Sequence, residues 1–269
     1  MVELIGGIEV NGELRKDVAL KPLTGATELM LAELGQAEAS QPEKVTRFLS
    51  ETLSTVGGQP ADPGVLSVGD RQHLVRQLGV RMGVDLVWLA GDCTACGESF
   101  EIPVHQSDLP VKPAGSGFPA AGVEIGGLAI RVRTPTGDDQ AAIAGLEPDA
   151  AASALLARLA DGLPQDAPLP EDRRDALEQA IEDLSPEVSL EVAATCPECK
   201  ADLRVSVDPY LSLSQAAGGI LDEVHLLASR YHWPEGDILA LPRARRQAYL
   251  ALIDRDRGMM RQPDPGLAG

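Results

Sequence analysis

The spacing of apolar residues along the chain predicts a series of short amphipathic helices. In these stretches apolar side chains recur every three or four residues, which places them on one side of a helix. The predicted helices cover residues 24–39, 43–55, 67–83, 150–159 and 171–184, and the chain is helical by the same criterion from Pro209 onward. Thr24 is placed to cap the first helix, and Asp138 or Asp139 is placed to cap a further helix that begins near residue 139.

Short runs that alternate apolar and polar residues, or that are rich in β-branched residues, predict strands between these helices. A strand or hairpin is expected over residues 8–21 with Asn11-Gly12 as its turn, because this dipeptide favours tight hairpins. Further strands are expected over 84–90 and 99–104, in a hairpin over 122–134, and on both sides of residues 196–199.

The helix predicted over 67–83 places Leu74, Leu78 and Met82 four residues apart on one face. Its arginines, Arg71, Arg76 and Arg81, lie largely off that face. We therefore expect these three guanidinium groups to be solvated.

Composition limits the partners that this chain can bind. Its 269 residues carry 41 acidic against 23 basic side chains, a formal net charge of −18. Such a surface repels phosphate backbones and anionic lipids, so binding to nucleic acid or to a membrane is disfavoured. The first residues do not resemble a secretory signal, and no apolar run is long enough to span a bilayer, so a cytoplasmic location is predicted.

All four cysteines of the chain lie in two matched Cys-x-x-Cys pairs, Cys93 with Cys96 and Cys196 with Cys199. In a reducing compartment such pairs bind metal or perform redox chemistry more often than they form disulfides. Four thiolates can enclose one zinc ion in a closed tetrahedron. The turn needs a residue with positive φ after the second cysteine, a role for Gly97 in the first pair and for Lys200, at a cost of roughly 1–2 kcal/mol, in the second.

Strand-like sequence lies on both sides of each pair, which is the layout of half a zinc ribbon. The favoured interpretation is a single structural zinc held by all four cysteines. Iron in the same cage fits the spacing too, and a ribbon that has lost its metal is a further alternative. Two separate redox dithiols are less consistent with the sequence, because thioredoxin-type pairs precede a helix rather than a strand.

Pairing of the distant cysteines predicts a fold class and a division of the chain. The fold is expected to be α+β, with mainly helical N- and C-terminal parts around a split four-cysteine zinc ribbon that carries an inserted α/β segment. The predicted units are an N-terminal strand plus helices (1–83), the two ribbon halves (84–105 and 188–208), the insertion (106–187) and a C-terminal helical region (209–269).

Catalytic motifs are not visible in the sequence. The four histidines, His73, His105, His225 and His232, match no metalloprotease or nucleophile-elbow pattern, and there is no P-loop or dinucleotide fingerprint. A closed four-cysteine site would not activate water either. The chain is therefore predicted not to be an enzyme.

The stretch "EVHLLASRYHWPEGDILALPRARRQAYLALI" near the C-terminus combines aromatic residues with the densest basic cluster of the chain. Aromatic residues and arginine are enriched in interface hot spots, so this stretch is predicted to bind a protein partner. The predicted contact residues are Tyr231, His232, Trp233, Arg243, Arg245, Arg246 and Tyr249. DNA binding is disfavoured, because seven basic and seven acidic residues balance from Tyr210 to Gly269.

This stretch and four other segments, taken together, resemble a known family. The segments are "LSVGDRQHLVRQL", "CTACGESFEIPV", "IRVRTPTGDDQAA" and "TCPECKADLRVSVD", and the likeness spans about Lys21 to Ile253. They are similar to baseplate-associated proteins of contractile phage tails and related injection systems, grouped with the baseplate hub assembly proteins of the T-even phages. The resemblance implies an assembly factor or minor structural component whose partners are baseplate or hub proteins. A zinc-ribbon transcription factor or other nucleic-acid-associated factor is the alternative.

Overall fold

The computed structural model describes residues 2–163, 170–211, 213 and 219–258. The fold is mixed α+β with small sheets. The sequence also predicts a proline-containing linker over 162–170 and a frayed tail after Gly258, but most of the linker and all of the tail lie outside the described residues. Within the described part, no helix has both the length and the apolar composition needed to cross a bilayer.

The N-terminal part combines a four-stranded antiparallel sheet with three helices. In chain order its elements are β1 (Val2–Val10), β2 (Glu13–Leu20), α1 (Gly25–Gln36), α2 (Gln41–Thr52), β3 (Leu53–Val56), β4 (Gln59–Pro60) and α3 (Val68–Arg81), and the strands follow the order β1-β2-β3-β4. Asn11 and Gly12 form the β1–β2 turn with positive φ, as their sequence predicts. Thr24 caps α1, also as predicted.

The helix predicted over 43–55 is wrong at its C-terminal end. It stops at Thr52, and Leu53 begins β3, which pairs with β2. The apolar residues of this segment suit a helix face as well as a strand. Hydrogen bonding to the backbone of β2 draws Leu53 and the following residues out of the helix and into the sheet. Helical periodicity gives no information about this distant strand.

Two long hairpins and an intervening segment make up the middle of the chain. The first hairpin consists of β5 (Leu86–Asp92) and β6 (Ser99–His105), followed by a short 3₁₀ helix (Gln106–Asp108). The segment contains β7 (Val111–Lys112), β8 (Ala120–Ile125), β9 (Leu128–Arg133), α4 (Gly137–Ile143), α5 (Pro148–Leu159), β10 (Ala160–Asp161), α6 (Glu171–Leu184) and β11 (Glu187–Val188). The second hairpin consists of β12 (Glu191–Thr195) and β13 (Asp202–Ser206). Strand β11 pairs with β7, so the two ends of the segment meet.

Helix α4 begins earlier than the sequence suggested. Its N-cap is Thr136 rather than Asp138 or Asp139. Asp139 is the second member of the capping box and receives hydrogen bonds from the Thr136 backbone N–H and hydroxyl, both at 3.0 Å. In this capping box the Thr136 side chain accepts from the backbone N–H of Asp139, and the Asp139 side chain accepts from the backbone N–H of Thr136.

From Gly219 to Gly258 the described chain forms α7 (Ile220–Tyr231), α8 (Glu235–Leu239) and α9 (Arg243–Asp256). Three clusters of buried apolar residues are present among the described residues. The largest joins the N-terminal sheet and helices to both hairpins, the second lies within the segment between the hairpins, and the third joins α7, α8 and α9 to Leu29 and Ala32 of α1. The predicted division into domains stays a prediction.

The predicted exposure of the α3 arginines is wrong for two of the three. Arg71 is fully buried and donates hydrogen bonds to the carbonyl oxygens of Pro63, at 2.7 Å, and Pro42, at 2.9 Å. Arg76 is only 6% exposed, whereas Arg81 is exposed. Helix α3 is covered by β1, α2, β11 and the 3₁₀ helix, so positions off its apolar face still meet protein.

The N-terminus of α3 is a junction between the N-terminal sheet and the segment between the hairpins. The buried carboxylate of Asp70 accepts hydrogen bonds from the backbone N–H groups of Gly6, at 2.8 Å, and Gly7, at 3.1 Å, and from the hydroxyl of Ser67. Burial nevertheless raises the pKa of Asp70 above its ordinary value. A side chain at Gly69 would overlap the backbone carbonyl of Pro186, just before β11.

Replacement of Gly69 by alanine is therefore expected to destabilise the protein by about 1–3 kcal/mol, because overpacking against backbone cannot be relieved by a rotamer change. Gly35→Ala is the matched control, since Gly35 is also helical but has open space around its Cα. It should be neutral or stabilising by up to about 1 kcal/mol, as expected for glycine replaced within a helix. Urea unfolding of both variants measures the difference. Equal stability of the two variants would contradict the close packing of α3 against Pro186.

Candidate metal centre

The two Cys-x-x-Cys turns have the same backbone geometry. Each connects the strands of a hairpin, between Asp92 and Ser99 in the first and between Thr195 and Asp202 in the second. In each, the N–H of the first cysteine donates to the carbonyl five residues later, at 2.9 Å. The N–H of the residue after the second cysteine donates back to the carbonyl of the first cysteine, at 2.8 and 3.1 Å. The chain therefore builds the same sulfur-presenting turn twice.

The positive φ required after each second cysteine is present at both positions. Gly97 has φ of 77° and Lys200 has φ of 64°. The ammonium of Lys200 donates a hydrogen bond of 2.6 Å to the carbonyl oxygen of Pro197. Glycine adopts this left-handed conformation freely, whereas lysine adopts it at a cost in free energy.

The four sulfur atoms converge between the two hairpins. Cys93 Sγ lies 3.6 Å from Cys199 Sγ, Cys96 Sγ lies 3.8 Å from Cys196 Sγ, and all four lie within 4.8 Å of one another. A tetrahedral ion with metal–sulfur bonds of about 2.3 Å requires sulfur–sulfur separations of about 3.8 Å. Disulfides would require about 2.05 Å, and the cysteines are free thiols. The donor set and its spacing therefore fit one metal ion.

The hairpins hold the cysteines at different depths. Cys93 and Cys196, the first of each pair, are buried and belong to the largest apolar cluster, while Cys96 and Cys199 are exposed. The ion would therefore lie at the surface end of that core. If all four sulfur atoms bound one tetrahedral ion, its coordination would be complete without a substrate or a reactive water.

Interactions within the cluster shift the pKa values of three of the thiols in opposite directions. The backbone N–H of Cys96 points at the sulfur of Cys93 and lowers the pKa of Cys93 to about 6. At Cys96 the backbone N–H of Glu98 lowers the pKa, but the neighbouring thiols of Cys93 and Cys199 outweigh it and raise that pKa to about 12. At Cys199 the backbone N–H of Ala201 and the thiol of Cys96 lower the pKa, but the thiol of Cys93, burial and the thiol of Cys196 outweigh them and raise it. A bound divalent cation would reverse these increases, because it favours the thiolate at every ligand.

The structure places the predicted partner-binding residues in two groups. Tyr231, Trp233 and Tyr249 pack together, with ring centroids 4.9–5.7 Å apart. His232 ends α7 in the left-handed conformation and is exposed, as is Arg245. The aromatic rings therefore hold α7 against α9. Their partner-binding role stays a prediction.

Arg246 does not have the exposure that a partner-binding residue requires, and this prediction needs correction. Its side chain is fully buried and donates to Glu28 of α1, at 2.6 Å, and to Glu223 of α7, at 2.8 Å. Arg243 also donates to Glu28, at 2.9 Å, and is partly exposed. The sequence shows a basic cluster but not its acidic partners, since Glu28 lies more than two hundred residues away.

Trp88 is an exposed tryptophan that the sequence analysis does not identify as a candidate binding residue. It lies on β5 with 58% of its surface exposed, although the strand was predicted from its apolar content. The alternation of inward and outward side chains along the strand could have indicated this exposure. Leu86 and Trp88 must face away from Val87 and Leu89, so a buried Val–Leu face implies an outward Leu–Trp face.

Comparison with known proteins adds no relative. The chain matches no model of a known protein family, and neither curated proteins nor solved structures match it. Among the described residues, the four cysteines are the one group of three or more metal-type ligands that come together.

Proposed function

We propose that the four cysteines hold one structural zinc ion in a zinc ribbon assembled from two distant hairpins. The observation that carries this proposal is the convergence of four sulfur atoms to within 4.8 Å from two turns of equal geometry. Zinc suits four thiolates in a tetrahedral arrangement without any open position. The ion would join β5–β6 to β12–β13 and close the chain around the segment between them.

The ribbon geometry also bears on the redox alternative. A thioredoxin-type site has its cysteine pair at the start of a helix, which lowers the pKa of the attacking thiol. Here β6 and β13 follow the two pairs. Each sulfur also lies within 3.8 Å of a sulfur of the other hairpin, a contact that two separate local dithiols would not need. Iron in the same cage is distinguished from zinc by elemental analysis.

We further propose that the protein acts without catalysis, as an assembly factor or minor structural component of the baseplate of a contractile tail or injection system. The support is the resemblance of its sequence segments, above all the stretch that forms α7, α8 and α9. The partly exposed aromatic cluster and the exposed Arg245 provide a surface suited to a protein partner.

To test the baseplate role, the tagged protein is purified from its native host, and the proteins that copurify with it are identified by mass spectrometry. We expect baseplate or hub proteins to be recovered with the wild type and to be depleted with Arg245→Glu. Arg131→Glu on β9 is the matched control, since Arg131 is also exposed and its reversal changes the charge equally. Absence of every tail component from the wild-type sample contradicts the role. A salt-sensitive shift of DNA in a gel would favour the nucleic-acid alternative.

A further inference from the structure

The outer face of the β5–β6 hairpin carries an apolar patch that the metal centre does not use. Leu86 and Trp88 are 50% and 58% exposed. In the ladder, Trp88 pairs with Pro103 and Leu86 pairs with His105, and both of these partners are exposed. Alternate residues of a strand share a face, so Glu101 lies diagonally next to Trp88 on the same side.

The second hairpin shows that a ribbon of this geometry does not require such a face. In the equivalent ladder position, Glu191 pairs with Ser206 where the first hairpin has Trp88 and Pro103. Arg204 takes the place of Glu101 and donates to Glu191 at 3.2 Å. One face is therefore solvated and ion-paired, while its counterpart exposes a tryptophan.

Charge around the patch indicates the chemistry of its occupant. From Val84 to His105 the chain carries Asp85, Asp92, Glu98 and Glu101 and no lysine or arginine. The pKa of Asp85 is lowered, first by a hydrogen bond from the Ser107 backbone and then by His105, so this carboxylate is ionised at neutral pH. A second copy of the chain, with its net charge of −18, would be repelled. A basic partner is attracted.

We propose that the surface formed by Leu86, Trp88, Glu101 and Pro103 docks an arginine-bearing segment of a partner protein. The guanidinium stacks on the indole of Trp88 and pairs with the carboxylate of Glu101, while its stem covers Leu86 and Pro103. Arginine fits better than lysine, because its planar group both stacks on an aromatic ring and pairs with a carboxylate. This surface is independent of the baseplate role, and its test contains no tail protein.

The test is a titration of the metal-loaded full chain with a short peptide of alternating arginine and glycine, followed by NMR. The indole N–H resonance that disappears in Trp88→Ala identifies Trp88. We expect it to shift saturably, while that of Trp233 stays in place. Trp88→Ala should weaken binding about tenfold or more, as truncation of an aromatic hot spot does. The lysine counterpart of the peptide should bind more weakly than the arginine peptide.

Glu101→Gln and Glu124→Gln are the matched pair of charge variants. Both remove one exposed strand carboxylate, but Glu124 lies on β8 in another sheet. Only Glu101→Gln should weaken binding of the arginine peptide. If wild type and Trp88→Ala bound the arginine peptide equally, the proposal would be overturned, because the peptide would then be attracted by the general acidity of the surface. A wild-type dimer in sedimentation that is lost in Trp88→Ala would also overturn it, since the occupant would be a second copy.

Discussion

Replacement of Cys196 by serine is expected to abolish stoichiometric metal binding and to destabilise the protein more than the loss of any buried ion pair. Cys196 is fully buried, and its sulfur lies 3.8 Å from Cys96 of the other hairpin. Structural zinc contributes on the order of 10 kcal/mol of apparent folding free energy in small zinc-binding peptides. Each hairpin alone would be marginal in water, so the loss should extend to the core that both hairpins share.

Elemental analysis and thermal unfolding, with and without a strong chelator, measure these effects. The wild type should contain one zinc per chain, and the chelator should lower its midpoint to that of Cys196→Ser without changing the variant itself. Ala95→Ser is the control, because it adds a hydroxyl to the exposed part of the first turn and removes no ligand. One tightly bound metal per chain in Cys196→Ser, at an unchanged midpoint, would refute the four-cysteine site. If the wild type contained iron in place of zinc, the four-cysteine site would stand and only the identity of the metal would change.

Replacement of Arg246 by methionine is expected to destabilise the protein by about 3–5 kcal/mol, the usual cost of removing one partner from a buried ion pair. Arg246 lies between the carboxylates of Glu28 and Glu223, both of them buried. Methionine keeps the volume of the stem, but it leaves the carboxylate of Glu223 without a cationic partner and that of Glu28 with Arg243 alone. Since these contacts join α1, α7 and α9, their loss should separate the C-terminal helices from α1.

Arg230→Met is the matched control for this network. Arg230 of α7 pairs with Asp256 of α9 at 3.0 Å, but both side chains are more than half exposed. Exposed pairs contribute about 0–1 kcal/mol, so this variant should unfold almost as the wild type does. The triple variant Arg246→Met, Glu28→Gln and Glu223→Gln should regain part of the stability, because it leaves no uncompensated carboxylate in the buried network. Urea unfolding checks all three, and equal midpoints for the two single variants would show that the buried network has no special role.

Local signals in the sequence predicted much of the site, because each acts over a few residues. The Cys-x-x-Cys spacing and the need for positive φ at Gly97 and Lys200 are properties of one turn, and the structure has both. The Asn11-Gly12 turn and the cap at Thr24 are equally local. Convergence of the two pairs was inferred from thiolate chemistry, which favours four ligands on one ion over two separate dithiols.

Features that depend on distant residues were predicted poorly. Arg71, Arg76 and Arg246 were expected to be solvated or available to a partner, yet all three are buried. Whether a guanidinium is buried depends on the carbonyls and carboxylates that reach it, and these come from other elements. Helical periodicity describes only the residue's own helix.

The sequence by itself determined the hairpin turn at Asn11-Gly12, the cap at Thr24, most of the strands and the two matched cysteine turns, since bond geometry and short-range hydrogen bonding decide each of these within a few residues. The tertiary structure alone decided which charges are buried and which apolar face is left open. Glu28 became the partner of Arg246, and Trp88 became a surface residue, because packing between elements distant in the chain covers some faces and not others.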